Sequence, residues 1–462
     1  MNKLEIYKRL PIFLQNLACS YEGFKLAKSR MGGGFPTFLT EYLERNKWPF
    51  ERLIEYQSLR LQRMVNHCVE TVPYYNRVFK KTGIIPSDIK TAEDLKILPI
   101  LTKEEVRQNP SEFISSKYKI DRLVKIQTSG STGSSLVLYY TIDQLQEQFA
   151  LWWKYRICIG IPLDMWCADF GSRTIVPIEQ TDSPFWRVSS PLRQVKFSAF
   201  HINEKNAIEY FNEIKKRKLT WIHGYPSIVT AFAASLIANN LSLDGHIKYV
   251  TVGGENIYDF QRNMMYKAFG VRPYSHYGLA ECVANFSENS NHELIVDEDF
   301  SVVEFVESNG TYRIVGTNLA NLSMPLLRYD TNDIATIDTC CSKTGYRKVL
   351  HVDGRNGEYV LLKSGGKVGS LSALFTETDS IIEAQIHQKK DYSLDIRYVS
   401  NSSYEHISKD LEGVREKLRE RLGDDIIFNF IKVEKIERTQ RGKLRYVVSD
   451  FENYKEISMG GN

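Results

Sequence analysis

Apolar positions fall into three regimes along the chain. Over residues 1–120 they recur at helical spacing: Leu59, Leu61, Val65, Cys68 and Val69 share one helix, which Pro73 stops. Thr91-Ala92-Glu93-Asp94 and Thr102-Lys103-Glu104-Glu105 each match a helix start. Strands begin near Val124. Leu123 to Gln127 and Leu136 to Thr141 read as the arms of a hairpin, and Thr141-Ile142-Asp143-Gln144 then opens a helix carrying Leu145, Phe149, Trp152, Trp153 and Ile157. The middle alternates short apolar runs with helices. Leu219 to His223 and His246 to Val252 are strands; helices run from Pro226 to about Asn239 and from Tyr258 to Phe269. That alternation predicts βα units on a largely parallel sheet. The tail from Tyr359 is a third regime. Ile381 to His387, Leu394 to Val399 and Ile426 to Val433 are strand-like; Ile407, Leu411, Val414, Leu418 and Leu422 mark a helix that Gly423 can close. Val352 to Glu358, with two glycines among polar residues, has the composition of a hinge.

Composition narrows the class. The 462 residues are 42% hydrophobic, enough for a large core and more than one domain. A net charge of +4 gives no electrostatic case for nucleic acid. Seven scattered cysteines, an odd number with no CxxC pair, fit a reduced cytoplasmic compartment and argue against a structural zinc site. No apolar run is long enough to span a membrane. The basic N-terminus, with Leu10 to Leu14 broken by Gln15 and Asn16, leaves a peripheral membrane contact open.

Gln127 to Ser135 is rich in chemistry. It sets five hydroxyl residues before Ser135 and two glycines between the hairpin arms. Glycines let backbone approach a ligand, and successive N–H groups in such a turn make an anion-binding concavity. The loop lacks the Gly-Lys-Ser/Thr ending of a Walker A motif. Taken alone, it is most simply a Ser/Gly-rich surface turn. Further strings follow in order: Gly253-Gly254-Glu255, Tyr277-Gly278-Leu279-Ala280-Glu281, Tyr329 to Asp333, Gly354-Arg355, and Arg441-Gly442-Lys443.

This ordered set resembles the adenylate-forming enzymes, which include acyl-CoA synthetases, luciferases and adenylation domains. Within them it is most similar to the phenylacetate-CoA ligase group and its CapK-type branch of capsule biosynthesis. Val72-Pro73-Tyr74-Tyr75, Leu98 to Lys103 and Pro184-Phe185-Trp186-Arg187 carry the finer likeness. The resemblance implies an α/β fold with a large N-terminal adenylation domain of mixed parallel sheets and helices over 1–353. It also implies a hinge at 354–358 that includes Gly354 and Gly357, and a small mobile α+β domain over 359–462. It implies that Thr128, Ser129, Gly130, Ser131, Thr132 and Gly133 cradle the ATP phosphates, and that Glu281 holds Mg²⁺. Gly253, Gly254, Glu255, Tyr277, Gly278, Asp333 and Arg355 would receive adenine and ribose, and Lys443 would serve catalysis between carboxylate and α-phosphate. His223, Gly224, Tyr225, Tyr274, His276 and Trp186 are candidate walls of an acid pocket; each taken singly is more simply a packing residue. Coenzyme A is the default acceptor, with a sugar amine or hydroxyl as the rival. AMP transfer to a hydroxyl and a catalytically silent nucleotide-binding protein are the remaining alternatives. Asn332 stands where relatives carry glycine, and Asn tolerates the left-handed conformation such a turn needs.

Overall fold

The computed structural model describes residues 3–128, 136–171, 173–308, 311–338, 345–355, 360–363, 367–368, 374–375, 378, 380–400, 407–423, 426–438 and 444–451. The chain divides into two compact units: Met1–Tyr21 with Met165–Tyr274 and Asp353–Asn462, and Glu22–Asp164 with Ser275–Val352.

The first unit holds the parallel βα piece that the middle of the sequence predicts. Tyr249–Gly253 pairs with Trp221–Gly224, that strand with Cys167–Phe170, and that in turn with Gln194–Phe197, all parallel. Trp186–Ser189 closes this end antiparallel. Helices Glu204–Lys216, Pro226–Ala238 and Asp259–Phe269 lie between the strands in sequence, as parallel pairing requires. The core is apolar and aromatic. Phe170 stacks on Phe197 at 5.1 Å and on Phe232 at 4.8 Å, with Tyr210 and Phe269 nearby. The tail adds four strands, in the order Phe428–Lys432, Leu394–Ser400, Ile381–Gln388, Val447–Ser449. The helix Ile407–Leu422 buries Val414 and Leu418 in a cluster with Ile386 and Ile396 that Phe260 also joins.

The second unit is helical at first. In Phe50–Thr71 the buried positions Leu53, Gln57, Leu61, Met64, Val65 and Cys68 follow the helical period. The helix stops before Pro73, which also opens the next helix, Pro73–Thr82, because its fixed φ and missing N–H suit a first turn. Thr102 and Glu105 form the expected reciprocal cap. The hairpin of Val124–Gln127 and Val137–Tyr140 is antiparallel, and the helix Ile142–Cys158 starts on Thr141, whose side chain accepts from Gln144 N.

Beyond Ser275 the sheet is antiparallel rather than parallel. His276–Gly278 pairs with Asn285–Ser287, Leu294–Val296 with Phe286–Glu288, and Ser301–Ser308 with Thr311–Asn318, which also pairs with Tyr329–Ile337. Three consecutive acids, Asp297, Glu298 and Asp299, are buried here, each on its own cation: Lys154 at 2.6 Å, Arg347 at 2.7 Å and Arg45 at 2.8 Å. Asn285 and Ser287 also donate to Asp297, and Gln57 to Glu298. Periodicity gave no sign of this arrangement.

Candidate active site

In the second unit, Thr128 sits at the base of the hydroxyl-rich loop. Its N–H donates to Leu136 O and its hydroxyl accepts from Leu136 N, both at 2.8 Å, so Thr128 and Leu136 close the end of the hairpin. Ser129, Gly130, Ser131, Thr132 and Gly133 lie outside the described residues.

The strand Tyr329–Ile337 is bulged opposite Arg313 and Val315, and Asn332 takes φ +58 there, in the left-handed region its side chain tolerates. Thr331 ties the bulge to Ile314 O at 2.8 Å and accepts from Asp333 N at 3.1 Å. The result aims Asp333, a buried carboxylate, at Tyr277, whose hydroxyl donates to it at 2.7 Å. Burial and the Asp333 charge push the Tyr277 phenol well above its usual range, so it stays a donor. One side of its ring stacks on Phe286 at 4.8 Å.

Gly278 follows. A side chain there would come within 2.8 Å of Asn285 Oδ1, the acceptor of Trp152 Nε1. His276 lies 5.6 Å from the Trp152 ring and 5.8 Å from that of Tyr155. Glu281 stands half-buried on a turn held by Asn318, which donates to Glu281 O and Cys282 O, while Cys282 takes φ +56. Tyr329 donates to the Glu281 carboxylate at 3.4 Å. Burial pushes the adjacent Cys282 thiol up to about 12. Gly354 and Arg355 end the strand Lys348–Arg355; Gly357 and Lys443 lie outside the described residues, as do Cys340 and Cys341.

In the first unit, His223 Nδ1 lies 2.9 Å from Thr251 Oγ1, which also accepts from Trp221. Gly224 passes Phe170 so closely that a Cβ would meet its carbonyl oxygen at 2.6 Å. Gly254, at φ +79, leaves room for the Tyr225 ring, which a Cβ would meet at 2.6 Å. Tyr274, half-buried, begins the strand Tyr274–Gly278.

Glu255 does more than its motif suggested. One oxygen accepts from Ser227 N, at the start of the helix Pro226–Ala238, and the other from Leu444 N, each at 3.1 Å. Arg438 bonds the Ser227 hydroxyl and the buried Glu383, and bridges to Leu444. Both described neighbours of segment 439–443 are thus tied to residues of the parallel sheet region. No spacing in the sequence signals that link.

A cleft of about 580 Å³ opens elsewhere, among Lys8, Leu10, Ile12, Gln15 and Glu179, and none of the candidate site residues lines it. Among the described residues, no three His, Cys, Asp or Glu side chains gather as a metal cage.

Residues 360–450 match the CapK C-terminal domain family. Protein CapK of Staphylococcus aureus is 27% identical over 453 residues, covering 96% of this chain and 99% of that one. A phenylacetate-coenzyme A ligase of Aromatoleum evansii is 22% identical over 338 residues, covering 67% of this chain and 72% of the relative. Among solved structures, a 2-hydroxyisobutyryl-CoA ligase in the postadenylation state aligns with a TM-score of 0.66 at 16% identity, over 87% of this chain and 90% of that one, a likeness of fold. Fold and sequence together define the class, an AMP-forming ligase. Over nearly its whole length the chain is similar to the CapK-type group of the adenylate-forming superfamily.

Proposed function

We propose that this ligase uses ATP and Mg²⁺ to convert a carboxylic acid to an acyl-adenylate with release of pyrophosphate, and then passes the acyl group to coenzyme A. The observation that carries the nucleotide reading is the Tyr277–Asp333 bond at 2.7 Å, between residues 56 apart in sequence. It sets a flat aromatic ring beside a buried acid, the pairing that suits a base and its ribose. We assign Thr128 to Gly133 to the phosphates, and Gly253, Gly254, Glu255, Gly278 and Arg355 to the nucleoside. His223, Gly224, Tyr225, Tyr274, His276 and Trp186 are assigned to the acid.

Glu281 suits Mg²⁺, which binds through one or two carboxylates and substrate phosphates and needs no all-protein cage. Bound there, the cation offsets phosphate charge. Lys443 supplies a compact ammonium for the approaching carboxylate and α-phosphate, an electrostatic role that needs no covalent protein intermediate.

We read 1–353 as the adenylation domain, 354–358 as a hinge and 359–462 as a small domain that turns between half-reactions. The bonds of Glu255 to Leu444 and of Arg438 to Ser227 then tie the two described residues that flank 439–443, and turning requires their release. The chain works on the cytoplasmic side in this reading.

A second acceptor, a sugar amine or hydroxyl, is favoured by one observation. The CapK match covers 96% of the chain, against 67% for the Aromatoleum ligase. Pyrophosphate release across a panel of acids, with and without coenzyme A, tests both. Coenzyme A-independent turnover with an aminosugar selects the second reading. Lys443→Ala should keep ATP binding and slow adenylation by about a hundredfold or more. Unchanged pyrophosphate exchange in that variant would remove Lys443 from the mechanism.

A further inference from the structure

Part of the helix Ile12–Met31 is built inside out. Three of its uncharged polar side chains face the protein: Gln15 accepts from buried Arg187 at 2.7 Å, Asn16 from Val188 N at 2.9 Å, and Ser20 donates to Val188 O at 3.2 Å. Four of its large apolar side chains face outward. Phe13, Leu17, Tyr21 and Phe24 are 63%, 62%, 62% and 58% exposed. Steps of four, four and three residues place them on one stripe, and exposed Lys28, four residues after Phe24, continues it. A helix on a globular protein ordinarily shows the reverse pattern. Contiguous exposed apolar surface of this kind marks an interaction site.

Charge identifies the partner. Residues 1–31 carry six basic and two acidic side chains, Lys3, Lys8, Arg9, Lys25, Lys28 and Arg30 against Glu5 and Glu22. The whole chain has 60 basic and 56 acidic residues, so the other 431 residues balance at 54 each. All of the net positive charge therefore lies on the segment that carries the apolar stripe. Arg9, just before the helix, is exposed like Lys28. A second copy of this chain would bring two such positive segments together, which opposes pairing through this face. An anionic bilayer satisfies both features: apolar side chains enter the headgroup boundary, and cations meet lipid phosphates.

We propose that the helix Ile12–Met31 docks this protein on the surface of membranes containing anionic phospholipid. No helix among the described residues is long and apolar enough to cross a bilayer, so the contact is peripheral. The proposal does not depend on which acid or acceptor the ligase uses.

The test is co-sedimentation of the full chain with phosphatidylcholine vesicles, with and without phosphatidylglycerol. Wild type should favour the anionic vesicles by about tenfold, and 0.5 M salt should weaken that binding. Phe13→Ser with Leu17→Ser should reduce binding about tenfold, and Lys28→Ala about fivefold. These side chains are exposed, so thermal melting should be unchanged; if a variant melts early, the lipid and salt series on wild type still decides. Equal binding to both vesicle types, or binding untouched by the double substitution, overturns the proposal. So does a dimer in sedimentation velocity that the double substitution dissolves, because the stripe would then be a self-contact.

Discussion

Phe170 and Asp297 are both buried, one in each unit, and opposite physics keeps them there. Phe170 lies between two aromatic rings in a cluster where twenty-five buried residues, apart from the Tyr210 hydroxyl, bring only apolar side chains. Its contribution is area removed from water, non-directional and tolerant of shape. Asp297 belongs to a run of three buried acids, each needing its own cation from elsewhere in its unit. Desolvation makes such charges costly, and only good geometry with further hydrogen bonds offsets that cost. The apolar region can accept many sequences. The charged region fixes which elements meet: Lys154 comes from the helix Ile142–Cys158, Arg45 from Phe35–Arg45, and Arg347 from just before the strand Lys348–Arg355. We read the acidic run as a device that specifies one arrangement of its unit.

The largest effects should come from truncating either residue. Asp297→Ala leaves Lys154 buried without its carboxylate and should cost about 3–5 kcal/mol. Phe170→Ala should cost about the same through the cavity it leaves. The two part company under milder changes: Phe170→Leu should lose much less than Phe170→Ala, whereas Asp297→Asn should stay close to Asp297→Ala. Urea denaturation of the four variants measures this. If Asp297→Asn is near neutral, the acidic run is not the specifying element proposed here.

Alkaline pH should separate the regions next. Burial alone would lower the Lys154 pKa, but the charges of Asp297 and Asp299 outweigh it and hold it above the ordinary 10.5. A lysine raised on folding contributes stability that is fully present below its unfolded pKa and lost as pH rises through the folded one. The denaturation midpoint should therefore fall above pH 10.5, and part of that slope should vanish in Lys154→Met with Asp297→Asn. Phe170→Leu should shift the whole curve and keep the wild-type slope. Identical slopes in all three proteins would count against the charge argument.

The apolar region was readable in advance because periodicity reports it. The helix predicted from Ile407 to Leu422 runs over those residues, and Gly423 closes it at φ +88. Two of the parallel strands, Trp221–Gly224 and Tyr249–Gly253, also fall where short apolar runs predict them, whereas Cys167–Phe170 and Gln194–Phe197 carried no such signal. The acidic run was not readable, since adjacent charges ordinarily mark a solvated loop and the partners of Asp299 lie as far away as Arg45. Its position between buried Val296 and Phe300 was the available signal. The helix Ile12–Met31 falls in the stretch read as helical, but its orientation was not legible: Gln15 and Asn16 interrupt an apolar run because they face inward. At the site, the left-handed tolerance of Asn332 was legible from residue type. The Tyr277–Asp333 and Glu255–Leu444 contacts were not, since long-range contacts between strands and loops leave no spacing to count.

The smallest effects concern two left-handed positions, one per unit, and test whether the contrast extends to the backbone. Gly254 in the first unit has φ +79, and the Tyr225 ring occupies the space a Cβ would need. Gly254→Ala meets both obstacles. It should cost about 1–2 kcal/mol for the conformation alone, and more where the ring must move. Asn332 in the second unit has φ +58 but is exposed, and the bond from its N–H to Asp330 at 2.9 Å survives any side chain except proline. Only the conformation is at stake there. Asn332→Gly removes the Cβ strain and adds unfolded-state entropy, so the two terms oppose and stability should change by about 0.5 kcal/mol or less. Asn332→Val, with a branched side chain in a conformation it avoids, should lose about 1–2 kcal/mol. Thermal melts of the three variants rank them. Should Asn332→Gly prove as harmful as Gly254→Ala, the asparagine side chain would be making a contact of its own, and the bulge that aims Asp333 would depend on more than its backbone.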